Sequence, residues 1–196
     1  MRRKIARLVS DIINPFSISL VMIVLLSFRH AASFAEGLKW SLLSVAFSIL
    51  PVLVVILVLV HNEKLEGIFI RARQQRHRIY LLASVCVLVS IGILYYLGAP
   101  RELLAAFVTA LLAIGLYLCI NLWWKISVHT GFLAASLMLL IIMYRVPGIL
   151  FTLVLLPVMA WSRVELEHHT PAQVAAGAAL SAAAMLAVFH FFGLIA

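Results

Sequence analysis

The sequence predicts an all-α, polytopic membrane helix bundle with six or seven transmembrane helices. Hydrophobic residues make up 65% of the 196 residues and charged residues only 11%, and the mean hydropathy is +1.16. A soluble domain has about 45–50% apolar and about 25% charged residues. This composition excludes an ordinary cytosolic enzyme and a disordered tail. It predicts a single integral membrane domain over residues 1–196.

Apolar runs recur along the chain at lengths that suit helices crossing a bilayer, for which about 20 residues are needed. None of the runs contains Asp or Glu. Three of them, the first, fifth and sixth, are short for a full span, so the number of spans is seven, or six if one run is re-entrant or interfacial. The runs cover residues 13–28, 40–60, 79–97, 103–124, 128–144, 147–161 and 171–194.

Turn-forming and small residues predict how the runs pack. Gly and Pro in residues 98–100 and 146–148 predict tight turns between antiparallel helices. In the last run, alanines repeat at four-residue spacing beside Gly177. Small residues at this spacing let helix backbones approach closely, so this face is interpreted as a packing surface.

The basic residues predict an orientation in the membrane. The net charge is +8, which in a soluble protein suggests nucleic acid, but here the basic residues cluster between apolar runs. Membrane orientation or an anionic ligand explains them better, and no nucleic-acid partner is expected. With seven spans, the N-terminus and residues 61–78, 125–127 and 162–170 share one side, with eleven of the fifteen Lys and Arg residues. The positive-inside rule places this side in the cytoplasm.

The polar residues of chemical interest also lie mostly on this side. Residues 61–78, 125–131 and 162–171 bring together histidines, arginines, lysines and serines. Arg and Lys hold phosphate, and histidine serves as a nucleophile or general acid. Carboxylates are scarce, which argues against a two-metal phosphatase. Three histidines could in principle bind Zn²⁺, but the adjacent His168 and His169 project in different directions, so neither a metal nor another cofactor is expected.

Two local patterns resemble motifs of the type-2 phosphatidic acid phosphatase superfamily. Ser162 and Arg163, then five residues, then His169, and Gln173 four positions later resemble the third motif, Ser-Arg-x5-His-x3-Asp. Ser127 and His129 are similar to the second motif, Pro-Ser-Gly-His. The resemblance implies a phosphatase-like core over about residues 61–194.

The first motif of that superfamily, Lys-x6-Arg-Pro, fits in two registers. Lys64 and Arg71 have the spacing, with Ala72 in place of Pro. Arg71 and Arg78 also have it, with Arg in place of Lys and Ile79 in place of Pro. The second register is slightly preferred because it places Arg78 at the mouth of a helix, and the first stays open.

The resemblance also implies roles for individual residues. His169 would attack phosphorus and form a phosphohistidine, and His129 would protonate the leaving oxygen. No metal would be required. The residues expected to hold the phosphate are Arg163, Arg78, Arg71, Lys64, Ser127 and Lys125.

Gln173 departs from the motif, which has Asp at this position to orient the nucleophilic histidine. An amide oxygen still accepts a hydrogen bond from Nδ1–H of His169 and fixes its tautomer, but it carries no charge to stabilise an imidazolium. In the serine protease triad, the change from Asp to Asn lowers kcat about 10⁴-fold. Gln173 is therefore expected to limit activity without abolishing it, unless Glu165 or Glu167 supplies the missing charge.

These features predict a membrane phosphatase that hydrolyses a lipid phosphate or isoprenoid diphosphate. The enzyme is expected in the cell membrane with its site facing the cytoplasm, its apolar helices holding the lipid tail. The alternative is a non-catalytic lipid-binding or scaffold protein of the same fold that lost the Asp.

Overall fold

The computed structural model describes residues 1–65, 67–70 and 72–195, which contain helices and no strand. It confirms the all-α helix bundle that the composition predicts. The helices are α1 (Arg2–Ile12), α2 (Pro15–Arg29), α3 (Phe34–Ser44), a π-helical segment (Val45–Ile49), α4 (Leu50–His61), α5 (Arg73–Tyr96), α6 (Arg101–Ile120), α7 (Val128–Tyr144), α8 (Val146–Glu165) and α9 (Pro171–Phe191).

The lengths of these helices suit a polytopic membrane protein. In the described part of the chain, five helices are long and apolar enough to cross a bilayer, with α3 to α4 counted as one helix, Phe34–His61. The pair α1 and α2, bent by 41°, gives a sixth if the two form one span, and α7 is apolar but shorter, at 17 residues. Large apolar side chains on α8, such as Leu153 and Val154, are more than 60% exposed. A lipid environment explains this exposure.

Each of the seven apolar runs is helical, but several helices extend beyond the predicted ends. α5 begins at Arg73, so Arg78 lies in the second turn of this helix. The prediction that Arg78 lies at the start of a helix was wrong. α8 continues to Glu165, so Ser162 and Arg163 are helical residues and not loop residues. The basic N-terminus is itself a helix, α1.

The chain forms two compact units, one of residues 1–19 with 125–196 and the other of residues 20–124. In the second unit, α5 packs on α6 around the fully buried side chains of Leu94, Leu103 and Tyr117. The buried hydroxyl of Ser90 is satisfied within its own helix, because its Oγ donates to the carbonyl of Cys86 at 2.8 Å. Such bonds remove the cost of placing a polar side chain in an apolar core.

In the first unit, α7 and α8 form the predicted tight hairpin. Arg145 alone connects them, with a left-handed φ of +54°, and residues 146–148 form the first turn of α8. A Cβ on Gly148 would lie 2.5 Å from backbone atoms of Leu140 and Ile141, so only glycine fits this close approach. α9 returns along α7. The start of α7, the end of α8 and the start of α9 therefore share one end of the unit.

Candidate functional site

The segments that carry the second and third motifs are joined where α7 and α9 begin. The backbone N–H of Ser127 donates to the carbonyl of Gln173 at 3.2 Å, and Thr130 Oγ1 lies 3.2 Å from the carbonyl oxygen of Val174. A Cβ on Gly177 would lie 2.5 Å from the carbonyl oxygen of Ser127. The absence of a side chain at Gly177 thus allows this contact between the two motifs.

The turn between α8 and α9 explains the spacing of Arg163 and His169. The N–H of His168 donates to the carbonyl of Arg163 at 3.1 Å, and the N–H of Glu167 donates to that of Val164 at 2.9 Å. Together these bonds form a Schellman motif, with Glu167 in the left-handed region at φ +57°. The turn ends α8 and directs His169 back towards Arg163. The N–H of His169 also donates to the carbonyl of Arg163, at 3.3 Å.

His169 is 6% exposed and contacts the side chain of Gln173, with 3.2 Å between Nδ1 and Oε1. Gln173 belongs to a capping box at the start of α9: its Oε1 accepts from the N–H of Thr170 at 3.2 Å, and its own N–H donates to Thr170 Oγ1 at 3.3 Å. Because a backbone N–H can only donate, it fixes which end of the amide is oxygen. The same oxygen lies 3.2 Å from His169 Nδ1, so Nδ1 is the donor in this contact.

His129 and Ser127 lie at the start of α7. His129 is 5% exposed, and the fully buried Ser127 is the N-cap residue, whose hydroxyl accepts from the N–H of Thr130 at 3.5 Å. The structure thus gives Ser127 a capping role beside the predicted contact with phosphate. Lys125 is half-buried two residues before it. The starts of α7 and α9 lie side by side, and their helix dipoles add positive potential at this end.

Arg163 is buried against α1, a contact that the sequence did not predict. Its Nη1 donates to Ser10 Oγ at 2.5 Å, and the neighbouring Ser162 Oγ donates to the carbonyl of Ala6 at 2.6 Å. Both α1 residues are small and four positions apart, which is the only sequence signal for this packing. Ser10 is thus a positioning residue for the guanidinium expected to hold phosphate.

The two glutamates near the third motif also face α1. Glu165 Oε2 lies 3.5 Å from Arg2 Nη2, and Glu167 forms an ion pair with Arg3. Both carboxylates are thus paired with arginines of α1, and their role in supplying the charge missing at Gln173 stays a prediction.

The residues of the proposed first motif belong to the second unit. Lys64 and Arg78 are exposed, and Arg71 lies outside the described residues. The buried guanidinium of this region belongs to Arg76, whose Nε donates to the carbonyl of Ile70 at 2.9 Å. Sequence reasoning did not select Arg76, since it fits neither register of the motif.

No protein-family model, curated protein or solved structure matches this chain. Within residues 1–65, 67–70 and 72–195, no group of three or more His, Cys, Asp or Glu residues is placed to hold a metal ion. The resemblance to the type-2 phosphatidic acid phosphatases therefore rests on the local motifs and on the contacts that join them.

Proposed function

We propose that this chain is an integral membrane phosphatase, similar to the type-2 phosphatidic acid phosphatases, that forms a phosphohistidine at His169. The contact of His169 Nδ1 with Gln173 Oε1 carries the proposal. It supports a tautomer with its proton on Nδ1, in which Nε2 is the atom that attacks phosphorus. The backbone N–H of His169 also donates to the carbonyl of the buried Arg163 at 3.3 Å.

The proposed reaction has two steps. Nε2 of His169 attacks phosphorus, the bond from phosphorus to the bridging oxygen breaks, and His129 gives its proton to that leaving oxygen. The leaving group is an alcohol from a lipid phosphate and a prenyl phosphate from an isoprenoid diphosphate. A water molecule then attacks the phosphohistidine and gives its proton to His129, the N–P bond breaks, and inorganic phosphate leaves. Gln173 orients His169 in both steps.

Arg163 and the two adjacent helix starts support the binding of the transferred phosphate. The Arg163 guanidinium offers N–H donors that pair with phosphate oxygens, and Ser10 holds one end of it. The N-termini of α7 and α9 favour negative charge at the same end of the unit. Phosphoryl transfer depends mainly on such positioning and charge neutralisation.

The substrate that suits this site is amphipathic. A lipid phosphate or isoprenoid diphosphate would place its tail among the apolar helices and its head group at the buried arginine and histidines. The bias of basic residues supports a site facing the cytoplasm of the cell membrane. This orientation favours substrates made there, such as prenyl diphosphates or phosphatidylglycerophosphate-like lipids.

Phosphate release from a panel of lipid phosphates and prenyl diphosphates tests the proposal. In detergent, we expect the purified protein to release phosphate from at least one of them. Vanadate, which mimics the transition state of phosphoryl transfer, should inhibit release, and EDTA should leave the rate unchanged. No release from any substrate, or loss of release with EDTA, would refute the proposed chemistry.

A non-catalytic lipid-binding or scaffold protein of the same fold is the second candidate. The observation that favours it is the capping box, because capping α9 is by itself a structural reason for Gln173. In that case the contact with His169 is a remnant of an older site.

Two substitutions of Gln173 separate the candidates. Gln173→Leu removes the acceptor for His169, and we expect kcat to fall about 10²–10⁴-fold, as when a triad histidine loses its correct tautomer. Gln173→Asp restores a carboxylate that stabilises the imidazolium, and we expect a moderate increase in kcat. Steady-state assays measure both. Activity that is near zero in the native protein and appears only with Gln173→Asp would favour the scaffold.

A further inference from the structure

Helix α1 presents three different faces. Ala6 and Ser10 face α8 and are buried. The apolar residues Ile5, Leu8 and Ile12 are 46%, 60% and 61% exposed. Basic residues occupy the remaining arc, so the helix is strongly amphipathic even with its α8 contact made.

The basic arc carries a shallow, open hollow of about 310 Å³ lined by Arg3, Lys4, Arg7, Leu8 and Asp11. Three cations and one carboxylate give this hollow a positive charge. Asp11 stands at one end, and Arg3 also pairs with Glu167 at the surface. Lys4 and Arg7 are both exposed, so their charges are available to a ligand of suitable size.

The exposed apolar residues Ile5, Leu8 and Ile12 indicate what kind of ligand the hollow binds. Burying an exposed Leu or Ile side chain in an apolar environment is favourable, and the chain carries helices long and apolar enough to cross a membrane, which bring a bilayer within reach. A helix with apolar residues on one side and Lys and Arg on the next lies in the bilayer interface. At that depth the nearest anions are the phosphates of lipid head groups.

We propose that α1 lies in the interface with Ile5, Leu8 and Ile12 among the acyl chains, and that the hollow at Lys4 and Arg7 binds the head group of an anionic phospholipid. The binding is separate from the proposed phosphatase chemistry, since it uses none of the motif residues. Each basic residue near an anionic surface strengthens binding about fivefold.

Native mass spectrometry of the full, delipidated protein tests this binding. The protein is titrated with phosphatidylglycerol, with phosphatidylcholine and with inorganic phosphate. We expect it to retain phosphatidylglycerol in preference to the other two. The double variant Lys4→Gln with Arg7→Gln should weaken phosphatidylglycerol retention about thirtyfold. A matched control removes two charges elsewhere, by Lys39→Gln with Arg145→Gln, and should retain the lipid as the native protein does.

Three results would overturn the proposal. They are equal retention of phosphatidylglycerol by the native protein and the α1 double variant, equal retention of phosphatidylcholine and phosphatidylglycerol, and binding of free phosphate as tight as that of the lipid. Because the double variant changes only exposed residues, it is expected to fold, and its melting temperature in detergent confirms this. Leu8→Gln gives an independent variant, which should weaken retention by removing an inserted apolar side chain.

Discussion

Replacing His169 with alanine is expected to lower kcat for phosphate release about 10⁴-fold or more, as loss of the nucleophile does in other covalent hydrolases. Its Nε2 is the atom proposed to bond to phosphorus, and no other group replaces that bond. His129→Ala removes the proposed general acid and should lower kcat about 10²–10⁴-fold. Phosphate release under saturating substrate measures both effects.

His190→Ala is the matched control for this pair. It makes the same substitution in α9, the helix that follows His169, at an exposed position in its last turn. We expect it to keep the native rate. If His169→Ala kept a substantial share of the native rate while remaining folded, the assignment of the nucleophile would be wrong.

Gly177→Val is expected to have the largest effect on stability, lowering the free energy of unfolding by about 3 kcal/mol. Its Cβ would lie 2.5 Å from the carbonyl oxygen of Ser127 and 3.2 Å from Thr130 Oγ1. A backbone atom has no rotamer by which to move away, so α9 must shift from α7. The shift would break the bond from the N–H of Ser127 to the carbonyl of Gln173.

Gly115→Ala and Gly92→Ala provide the control for the glycine substitution. A Cβ at either position has no atom within 4 Å to meet among the described residues. Since alanine loses less backbone entropy than glycine in a helix, we expect these variants to be neutral or stabilised by about 0.5–1 kcal/mol. Thermal unfolding in detergent compares the three. A Gly177→Val variant as stable as Gly115→Ala would show that α7 and α9 are not in close contact.

The sequence predicted the helices well because their signal is local. Apolar runs without acidic residues are long, and Gly and Pro mark the hairpin turns, so each run proved helical. The same signal predicts the helix ends wrongly, because the helices extend beyond the apolar runs into the polar residues that flank them. Arg163 at the end of α8 and Arg78 in the second turn of α5 are examples.

The site was predictable only in part, for the same reason. His169 and Gln173 are four residues apart beside a helix start, so their contact follows from spacing. The bond of Arg163 to Ser10 joins residues 153 positions apart. The N-terminal segment that contains Ser10 carries many charges, so its sequence does not predict a helix packed against the rest of the protein. Long-range contacts of this kind depend on tertiary packing, which no local pattern encodes.

Trapping the phosphorylated enzyme tests the central claim most directly. The native protein is incubated briefly with a ³²P-labelled substrate on which it is active, then quenched in alkali and digested for mass spectrometry. Phosphohistidine is stable in alkali and labile in acid, so we expect alkali-stable label on the peptide that contains His169. The label should be absent in the His169→Ala variant. Turnover with no covalent phosphate, or with phosphate on another residue, would contradict the account.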